Sequence, residues 1–172
     1  MNEIVFTSYN SPIGKMLIAS TGKGLCKLDL LVGEKQFINT VSSRFRAKVT
    51  RNDEAMQPVI KALERYFEGD PMPSNIALDL RGTPFQKKIW SQLLKIPHGE
   101  TRSYKQIAIA IGTPTAPRAV GNAVGSNPVA IIVPCHRVLR SDGSLGGFGY
   151  GVDIKKKLLR LEALRRPIER HR

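Results

Sequence analysis

The chain has 172 residues, of which 41% are hydrophobic and 24% charged, a composition typical of a folded globular protein and not of a disordered one. It contains no apolar run of the roughly 20 residues that a membrane-spanning helix needs, and its two cysteines are too few for a disulfide framework. The net charge of +13 is concentrated in residues 81–172, with 17 basic and 5 acidic side chains against 10 and 9 in residues 1–80, which indicates a polyanionic partner for the second half.

The first 50 residues predict short β-strands joined by hairpin turns. Apolar and polar positions alternate around Ile4, Leu17 and Leu28, and sequences rich in glycine separate these stretches. We therefore expect a small sheet at the start of the chain.

A helix is predicted next, with Pro58 near its first turn and Gly69 as its terminator. Residues 70–82 have the composition of a linker. Residues 1–80 are thus predicted to form a scaffold domain of strands with one helix, and they contain no catalytic constellation.

The second half predicts a series of short helices. The capping-box sequences Thr83–Gln86 and Ser103–Gln106 each begin a helix, and Pro97–Gly99 and Gly112 follow the two helical stretches. A third helix is expected from about residue 115 to 125. Two short helices joined by a tight turn favour a helix-turn-helix, a motif that binds DNA.

The third of these helices has an unusual number of small side chains, which would let its backbone approach another surface closely. That surface is either DNA or a neighbouring helix, and the small residues by themselves do not distinguish the two. The basic charge of this half favours DNA. The residues concerned are Ala116, Ala119, Gly121, Ala123 and Gly125.

The apolar run 129–133 predicts a buried strand that ends close to Cys135, with His136 and Arg137 directly after it. An ordinary cysteine has a pKa near 8.5, and a neighbouring base or cation is needed to make it a thiolate at neutral pH. The segment is therefore a candidate nucleophilic site. A buried cysteine that only packs is the alternative.

Taken together, several short motifs resemble the O6-alkylguanine-DNA alkyltransferase family. The similarity extends from about residue 82 to residue 164 with the motifs in the family's order, whereas residues 1–80 resemble its N-terminal domain only loosely. The motifs are Gly82–Gln86, Ser103-Tyr104, Arg118–Gly121, Asn127-Pro128 and Pro134–Val138.

The resemblance implies a catalytic role for five residues. Cys135 would accept the alkyl group, and His136, acting through a water, would remove the thiol proton. Glu162 would orient the histidine, as the acid does in hydrolytic triads. Tyr104 would donate a hydrogen bond to the departing guanine, and Asn127 would join two motifs through its amide.

The resemblance also implies that the damaged nucleotide leaves the duplex. Arg118 would enter the minor groove and occupy the vacated space, which offsets part of the cost of unpairing. The expected DNA-binding residues are Arg118, Tyr104, Ala119, Gly121 and Ser103.

The loop 141–151 contains five glycines and is expected to form the wall of the base pocket. The bulky Tyr150 favours methylguanine over guanines with large adducts. The expected pocket residues are Pro134, Val138, Leu145, Phe148, Gly149 and Tyr150.

The resulting expectation is a mixed α/β (α+β) protein with a strand-rich domain in residues 1–80 and a helix-rich alkyltransferase domain in residues 83–172. Its partner would be duplex DNA containing alkylated guanine, with methylthymine as an open alternative, and it would need no cofactor and no metal. We expect a cytoplasmic, nucleoid-associated monomer, with cooperative binding on DNA left open.

Three other functions compete with single-turnover alkyl transfer. A DNA-lesion binder of the same fold would lack the acceptor cysteine, and a transcription factor would leave the segment 134–138 and the glycine-rich loop unexplained. A cysteine hydrolase would turn over repeatedly.

Overall fold

The computed structural model describes residues 3–164, and the chain forms two compact units, Met1–Leu80 and Arg81–Arg172. The sheet lies in the first unit and most of the helix in the second. This confirms the predicted mixed α and β fold. The end of the predicted second domain, 165–172, lies outside the described residues.

The first unit is built on a four-stranded sheet with strand order β3-β2-β1-β4. The first three strands form an antiparallel meander, and β4 pairs in parallel with β1. The strands are β1 (Glu3–Ser11), β2 (Gly14–Thr21), β3 (Gly24–Leu30) and β4 (Lys48–Arg51).

Each face of this sheet is covered by a helix. Phe6 pairs with Ala19 across β1 and β2, and both belong to an apolar cluster that includes Phe37 of α1 (Glu34–Phe45). The opposite face presents Tyr9, which packs against Phe67 of α2 (Gln57–Phe67) with ring centroids 6.4 Å apart. Successive side chains of the strands therefore point to opposite faces of the sheet, and each face packs against an apolar layer.

Helix α1 corrects the prediction that the first 50 residues form only strands. Its buried residues Phe37, Val41 and Phe45 recur every four positions, which is helical spacing. The N-cap residue of this helix is Gly33, which has no side chain to form a capping hydrogen bond. The usual sequence signal for a helix start is therefore absent. The unit has two helices where one was predicted.

Part of the predicted linker is attached to the same sheet. Leu25 in β3 accepts a hydrogen bond from the backbone of Asp79 and donates one to Ala77, at 2.8 and 2.9 Å. The hydroxyl of Thr21 also donates to the Asp79 carboxylate at 2.6 Å.

The second unit contains four α-helices and one short parallel strand pair among its described residues. Both predicted capping boxes are present, with reciprocal hydrogen bonds between Thr83 and Gln86 and between Ser103 and Gln106. The elements are α3 (Pro84–Leu94), β5 (Arg102–Ser103), α4 (Tyr104–Ala110), α5 (Pro117–Gly125), β6 (Val138–Leu139) and α6 (Val152–Leu164).

Helices α4 and α5 follow one another as the predicted helix-turn-helix requires. The small residues of α5 serve different faces: Ala123 is buried and its carbonyl accepts a 2.9 Å hydrogen bond from the indole of Trp90 in α3, whereas Ala119 and Gly125 are exposed. Packing against a neighbouring helix thus accounts for one face of α5 and leaves the other accessible.

The predicted strand at 129–133 is wrong. The five side chains are buried, but the backbone folds into a tight turn in which Ile131 has a φ of 74°. Asn127 holds this turn, because its amide donates to the Val133 carbonyl at 2.7 Å and accepts from the Val129 backbone at 2.9 Å. A short apolar run indicates that its side chains are buried, but it does not by itself indicate an extended backbone.

Candidate active site

Cys135 begins a single 3₁₀ turn, Cys135–Arg137, that follows the turn held by Asn127. Its backbone donates to the Val133 carbonyl at 2.8 Å, and only 8% of the residue is exposed. The turn points three successive side chains into different surroundings, so that the sulfur faces a cavity while His136 and Arg137 lie in the interior.

Behind the cysteine, a buried carboxylate binds two neighbouring side chains at once. Oε2 of Glu162 in α6 lies 2.6 Å from Nε2 of His136. The guanidinium of Arg137 donates to both oxygens of Glu162, at 2.8 and 3.0 Å, and to the Ile96 carbonyl at 2.6 Å. The three groups are almost fully buried. Such a bidentate pair fixes the carboxylate in one orientation.

Burial and the charges of the neighbouring groups together determine the protonation state of His136. Burial lowers the pKa of its imidazole, and although Glu162 opposes this shift, the cation of Arg137 adds to it. Burial raises the pKa of Glu162, but hydrogen bonds from His136 and Arg137 and the positive charge of Arg137 outweigh it, so the pKa is lowered overall. At neutral pH the arrangement is therefore a carboxylate beside a neutral imidazole, which is able to accept a proton.

The Cys135 thiol is protonated in the isolated protein. Burial raises its pKa, and a hydrogen bond from Asn127 and the charge of Lys155 lower it only in part. A thiolate at neutral pH therefore requires proton transfer to a base, and His136 is the adjacent residue that can serve.

Lys155 of α6 is a buried cation that connects the site to the glycine-rich loop. Its ammonium donates to the carbonyls of Val138, Leu145 and Gly147 at 2.7, 2.5 and 3.2 Å. An ammonium group has three donor hydrogens, and these three carbonyls use all of them. Lys155 thus ties the loop to the chain segment that follows the 3₁₀ turn.

A cavity of about 400 Å³ opens above Cys135 and has the size of a small-molecule site. Its walls come from α4, α5, the turn after α5 and the glycine-rich loop. Phe148 and Tyr150 form an edge-to-face pair at 5.8 Å on the loop side. The lining residues are Tyr104, Gly121, Val124, Gly125, Asn127, Ala130, Cys135, Gly147, Phe148, Gly149 and Tyr150.

A wider groove of about 810 Å³ adjoins the cavity, and Tyr104, Gly121 and Gly147 line both. Burial raises the pKa of Tyr104, and a thiolate at Cys135 would raise it further, so its hydroxyl remains a donor at neutral pH. The groove also contains Arg118, which was predicted to bind DNA.

The structure brings most of the predicted site residues together. Cys135, Asn127 and Tyr104 line the cavity, and His136, the next residue in the 3₁₀ turn, is buried against Glu162. The predicted pocket residues Phe148, Gly149 and Tyr150 also line it.

Three predicted pocket residues do not line this cavity. Val138 is fully buried in β6, and both it and Leu145 give their carbonyls to Lys155. Pro134 is buried and precedes the 3₁₀ turn. Their contribution is to hold the wall in place. The predicted DNA contact Ser103 uses its hydroxyl to cap α4, and Ala119 is exposed on α5.

Sequence reasoning missed two functional contacts. It did not predict that Arg137 shares Glu162 with His136, and it assigned no role to Lys155. The burial of Lys155, Leu158 and Glu162 at helical spacing marks the inner face of α6, but two of these three are charged, so the sequence suggests a solvated face there.

Two further findings concern residues 3–164. None of their helices is long and apolar enough to cross a membrane. Within the same range, no group of three or more His, Cys, Asp or Glu side chains is placed to hold a metal ion.

Two family models match the chain. The model described as "6-O-methylguanine DNA methyltransferase, ribonuclease-like domain" matches residues 4–80, and the one described as "6-O-methylguanine DNA methyltransferase, DNA binding domain" matches residues 84–164.

Curated relatives and solved structures agree with these matches. A methylated-DNA--protein-cysteine methyltransferase of Methanosarcina barkeri is 47% identical, covering 88% of this chain and 92% of its own. One from Mycobacterium bovis is 43% identical over 96% of each chain. The crystal structure of Mycobacterium tuberculosis OGT in complex with DNA superimposes with a TM-score of 0.81 at 42% identity, covering 96% of this chain and 95% of that one.

Proposed function

The chain belongs to the 6-O-methylguanine DNA methyltransferase family, and we propose that it repairs duplex DNA by moving the methyl group of O6-methylguanine onto Cys135. The observation that carries this proposal is the position of Cys135, whose sulfur faces a base-sized cavity while a neutral imidazole held by a buried carboxylate lies behind it. The protein acts once, because a thioether is stable in water and nothing in the reaction regenerates the thiol.

In the proposed mechanism the Cys135 proton passes to His136 through a water, and Glu162 stabilises the imidazolium that forms. The sulfur attacks the methyl carbon, the bond from that carbon to O6 breaks, and its electron pair remains on the guanine. Tyr104 donates a hydrogen bond to the departing base. Its place in the cavity wall and its protonated hydroxyl support this role.

The damaged nucleotide has to leave the base stack to reach a sulfur at the bottom of a cavity. We propose that it passes from the groove into the cavity along the side of Tyr104, which lines both. Arg118 lies on the groove side and fills the vacated place in the duplex. The exposed face of α5, with Ala119, allows its backbone to approach the DNA.

Incubation of the protein with a duplex containing one O6-methylguanine, followed by intact-mass measurement, tests the proposal. We expect a gain of one methyl group per chain, located on Cys135 by peptide mapping, and no further gain with excess substrate. A protein that binds the duplex without gaining mass would be a lesion binder, and repeated turnover would indicate a hydrolase.

DNA is the partner of this chain, and three finer points are proposed. The protein acts as a monomer in the cytoplasm, where it associates with the nucleoid. Tyr150 restricts the cavity to small alkyl groups, because its ring packs on Phe148 at the wall. Parallel mass measurements with methylguanine, benzylguanine and methylthymine duplexes define the accepted range.

A further inference from the structure

Three cations line the groove beside the cavity, and they come from two parts of the chain. Lys105 and Arg118 belong to α4 and α5, the two helices of the helix-turn-helix. Arg140 lies in the segment between β6 and the glycine-rich loop, directly after Leu139, which pairs with Ser103. No pattern in the sequence singles out Arg140, and it was not among the predicted DNA-binding residues.

These cations are available to an external anion. Within the part of the chain that the structure describes, none of the three forms an ion pair with a carboxylate. The charge of Arg140 helps to lower the pKa of Asp142, but that carboxylate accepts hydrogen bonds from the hydroxyl and backbone of Ser144 at 2.7 and 2.9 Å.

The backbone around Arg140 places its side chain at the rim of the cavity. Arg140 donates to the Ser144 carbonyl at 3.0 Å and accepts from Gly143 at 2.9 Å, which closes a tight turn. A Cβ on Gly146 would lie 3.5 Å from Cγ of Arg140 and 3.5 Å from the ring of Tyr104. The arginine stem and the tyrosine ring therefore both lie beside Gly146.

The position of Arg140 bears on how the phosphates of a nucleotide that moves past Tyr104 are held. Its base enters the cavity, but its phosphates remain in the groove, because the sugar-phosphate chain continues on both sides. The cation nearest to Tyr104 on the loop side is Arg140, whose charge lowers the pKa of that tyrosine. An arginine fork suits a phosphate that has to be held in a fixed orientation.

We propose that Arg140 is a positioning residue that binds a backbone phosphate next to the extruded nucleotide. This inference rests on the proposed function. Lys105 and Arg118 of the helix-turn-helix then hold the duplex, while Arg140, in the segment before the glycine-rich loop, holds the displaced strand.

The test compares wild type with Arg140→Gln on two substrates in single-turnover experiments: a duplex with one O6-methylguanine, and the free O6-methylguanine base. We expect the variant to react with the duplex about tenfold more slowly at subsaturating protein, the effect of one lost charged hydrogen bond, and with the free base at the wild-type rate. The slope of log affinity against log salt for the duplex falls by about 1, as expected for one lost phosphate contact.

Lys157→Gln is the matched control, because it removes one positive charge from the exposed surface of α6 without altering the groove lining. Equal salt slopes for Arg140→Gln and Lys157→Gln would overturn the proposal. So would an equal loss of rate on free base and duplex, which would place Arg140 in support of the cavity. If wild type itself gains no methyl from either substrate, the proposed function fails, and that result is separate from any difference between the variants.

Discussion

The two compact units differ in what they bury. Among the described residues, the first unit buries one polar side chain, Thr7, which donates to Asp53 at 2.7 Å. The second unit, of similar size, buries five polar side chains, and all of them are ionisable: His98, His136, Arg137, Lys155 and Glu162.

Burying charge is costly, and a buried ion pair usually contributes less to stability than apolar packing of the same volume. The first unit therefore has the interior of a scaffold. The second unit retains a buried network that begins in the same 3₁₀ turn as Cys135, where fixed charges and a preorganised base would be useful for the proposed chemistry. The difference is consistent with the proposed function, in which the network serves reactivity.

The surface charge divides in the same way. Residues 1–80 are almost neutral overall, whereas residues 81–172 carry an excess of twelve positive charges. The unit with the buried network is thus also the unit that attracts a polyanion. Pairs of variants with one substitution in each unit test the difference in buried charge and the difference in net charge.

The two buried cysteines, one in each unit, give the largest expected difference. Cys135→Ala removes the acceptor, so we expect no methyl gain by intact mass while duplex binding remains. Cys26→Ala, in the apolar core of the sheet, retains full transfer and costs on the order of 1 kcal/mol of stability. A methyl group mapped to Cys26, or transfer that survives in Cys135→Ala, would contradict the assignment.

The next largest effect is expected when two carboxylates that pair with arginine, one in each unit, are compared. Glu162→Gln leaves the buried Arg137 without its counter-ion and lowers the free energy of unfolding by about 3–5 kcal/mol. It also slows transfer on duplex and free base alike, because His136 loses its support. Asp53→Asn in the first unit breaks an exposed pair with Arg51 and changes little. Fluorescence of Trp90, the only tryptophan, follows unfolding of the second unit.

The stability difference between wild type and Glu162→Gln should depend on pH. The pKa of Glu162 is lowered in the folded protein, so its contribution to stability is complete above the unfolded value near 4.3 and decreases as the pH falls below it. The stability difference between wild type and Glu162→Gln should therefore narrow in acid. A difference that stays constant from pH 7 to pH 3 would show that the pKa of Glu162 is the same in the folded and the unfolded chain, and a difference that widens in acid would show that the carboxyl is protonated in the folded protein.

A smaller effect is expected from the buried lysine of α6. Lys155→Met removes the donor of three carbonyls and a cation near Cys135, so we expect a loss of about 1–3 kcal/mol and slower transfer on both substrates. The pH at which a small alkylating reagent modifies Cys135 should also rise. Lys156→Met, an exposed neighbour, is the control. An unchanged reagent profile in Lys155→Met would limit this lysine to holding the loop.

The smallest effect is expected on DNA affinity, when a single exposed lysine is substituted in one unit or the other. Lys105→Gln, in the groove of the second unit, should reduce the slope of log affinity against log salt by about 1, because one phosphate contact is lost. Lys35→Gln on α1 of the first unit should leave the slope unchanged. Equal effects of the two substitutions would mean that the charge asymmetry does not locate the DNA-binding surface.

Several features followed from the sequence because their signals are local. The capping boxes at Thr83 and Ser103 specify helix starts through hydrogen bonds three residues apart, and both formed as predicted. The charge asymmetry is a matter of counting. The family, and with it the candidate residues around Cys135, was recognisable from short motifs in a fixed order.

Other features depended on side-chain contacts that the sequence patterns did not reveal, some of them local and some between residues far apart in the chain. The apolar run 129–133 became a turn and not a strand because the Asn127 side chain bonds to both ends of it. Helix α1 has no capping side chain, and its buried residues Phe37, Val41 and Phe45 find their partners on strands β1 and β2.

The sequence by itself determined where α3 and α4 begin, which half carries the positive charge and which cysteine is the candidate nucleophile, since each of these is encoded within a few neighbouring residues or in composition. Only the tertiary structure decided that Glu162 binds His136 and Arg137 together and that Lys155 holds the loop. It also placed Arg140 in the lining of the groove that contains Arg118. The physical reason is that desolvation and charge pairing depend on distances between side chains 8 to 26 positions apart, and a linear pattern does not contain those distances.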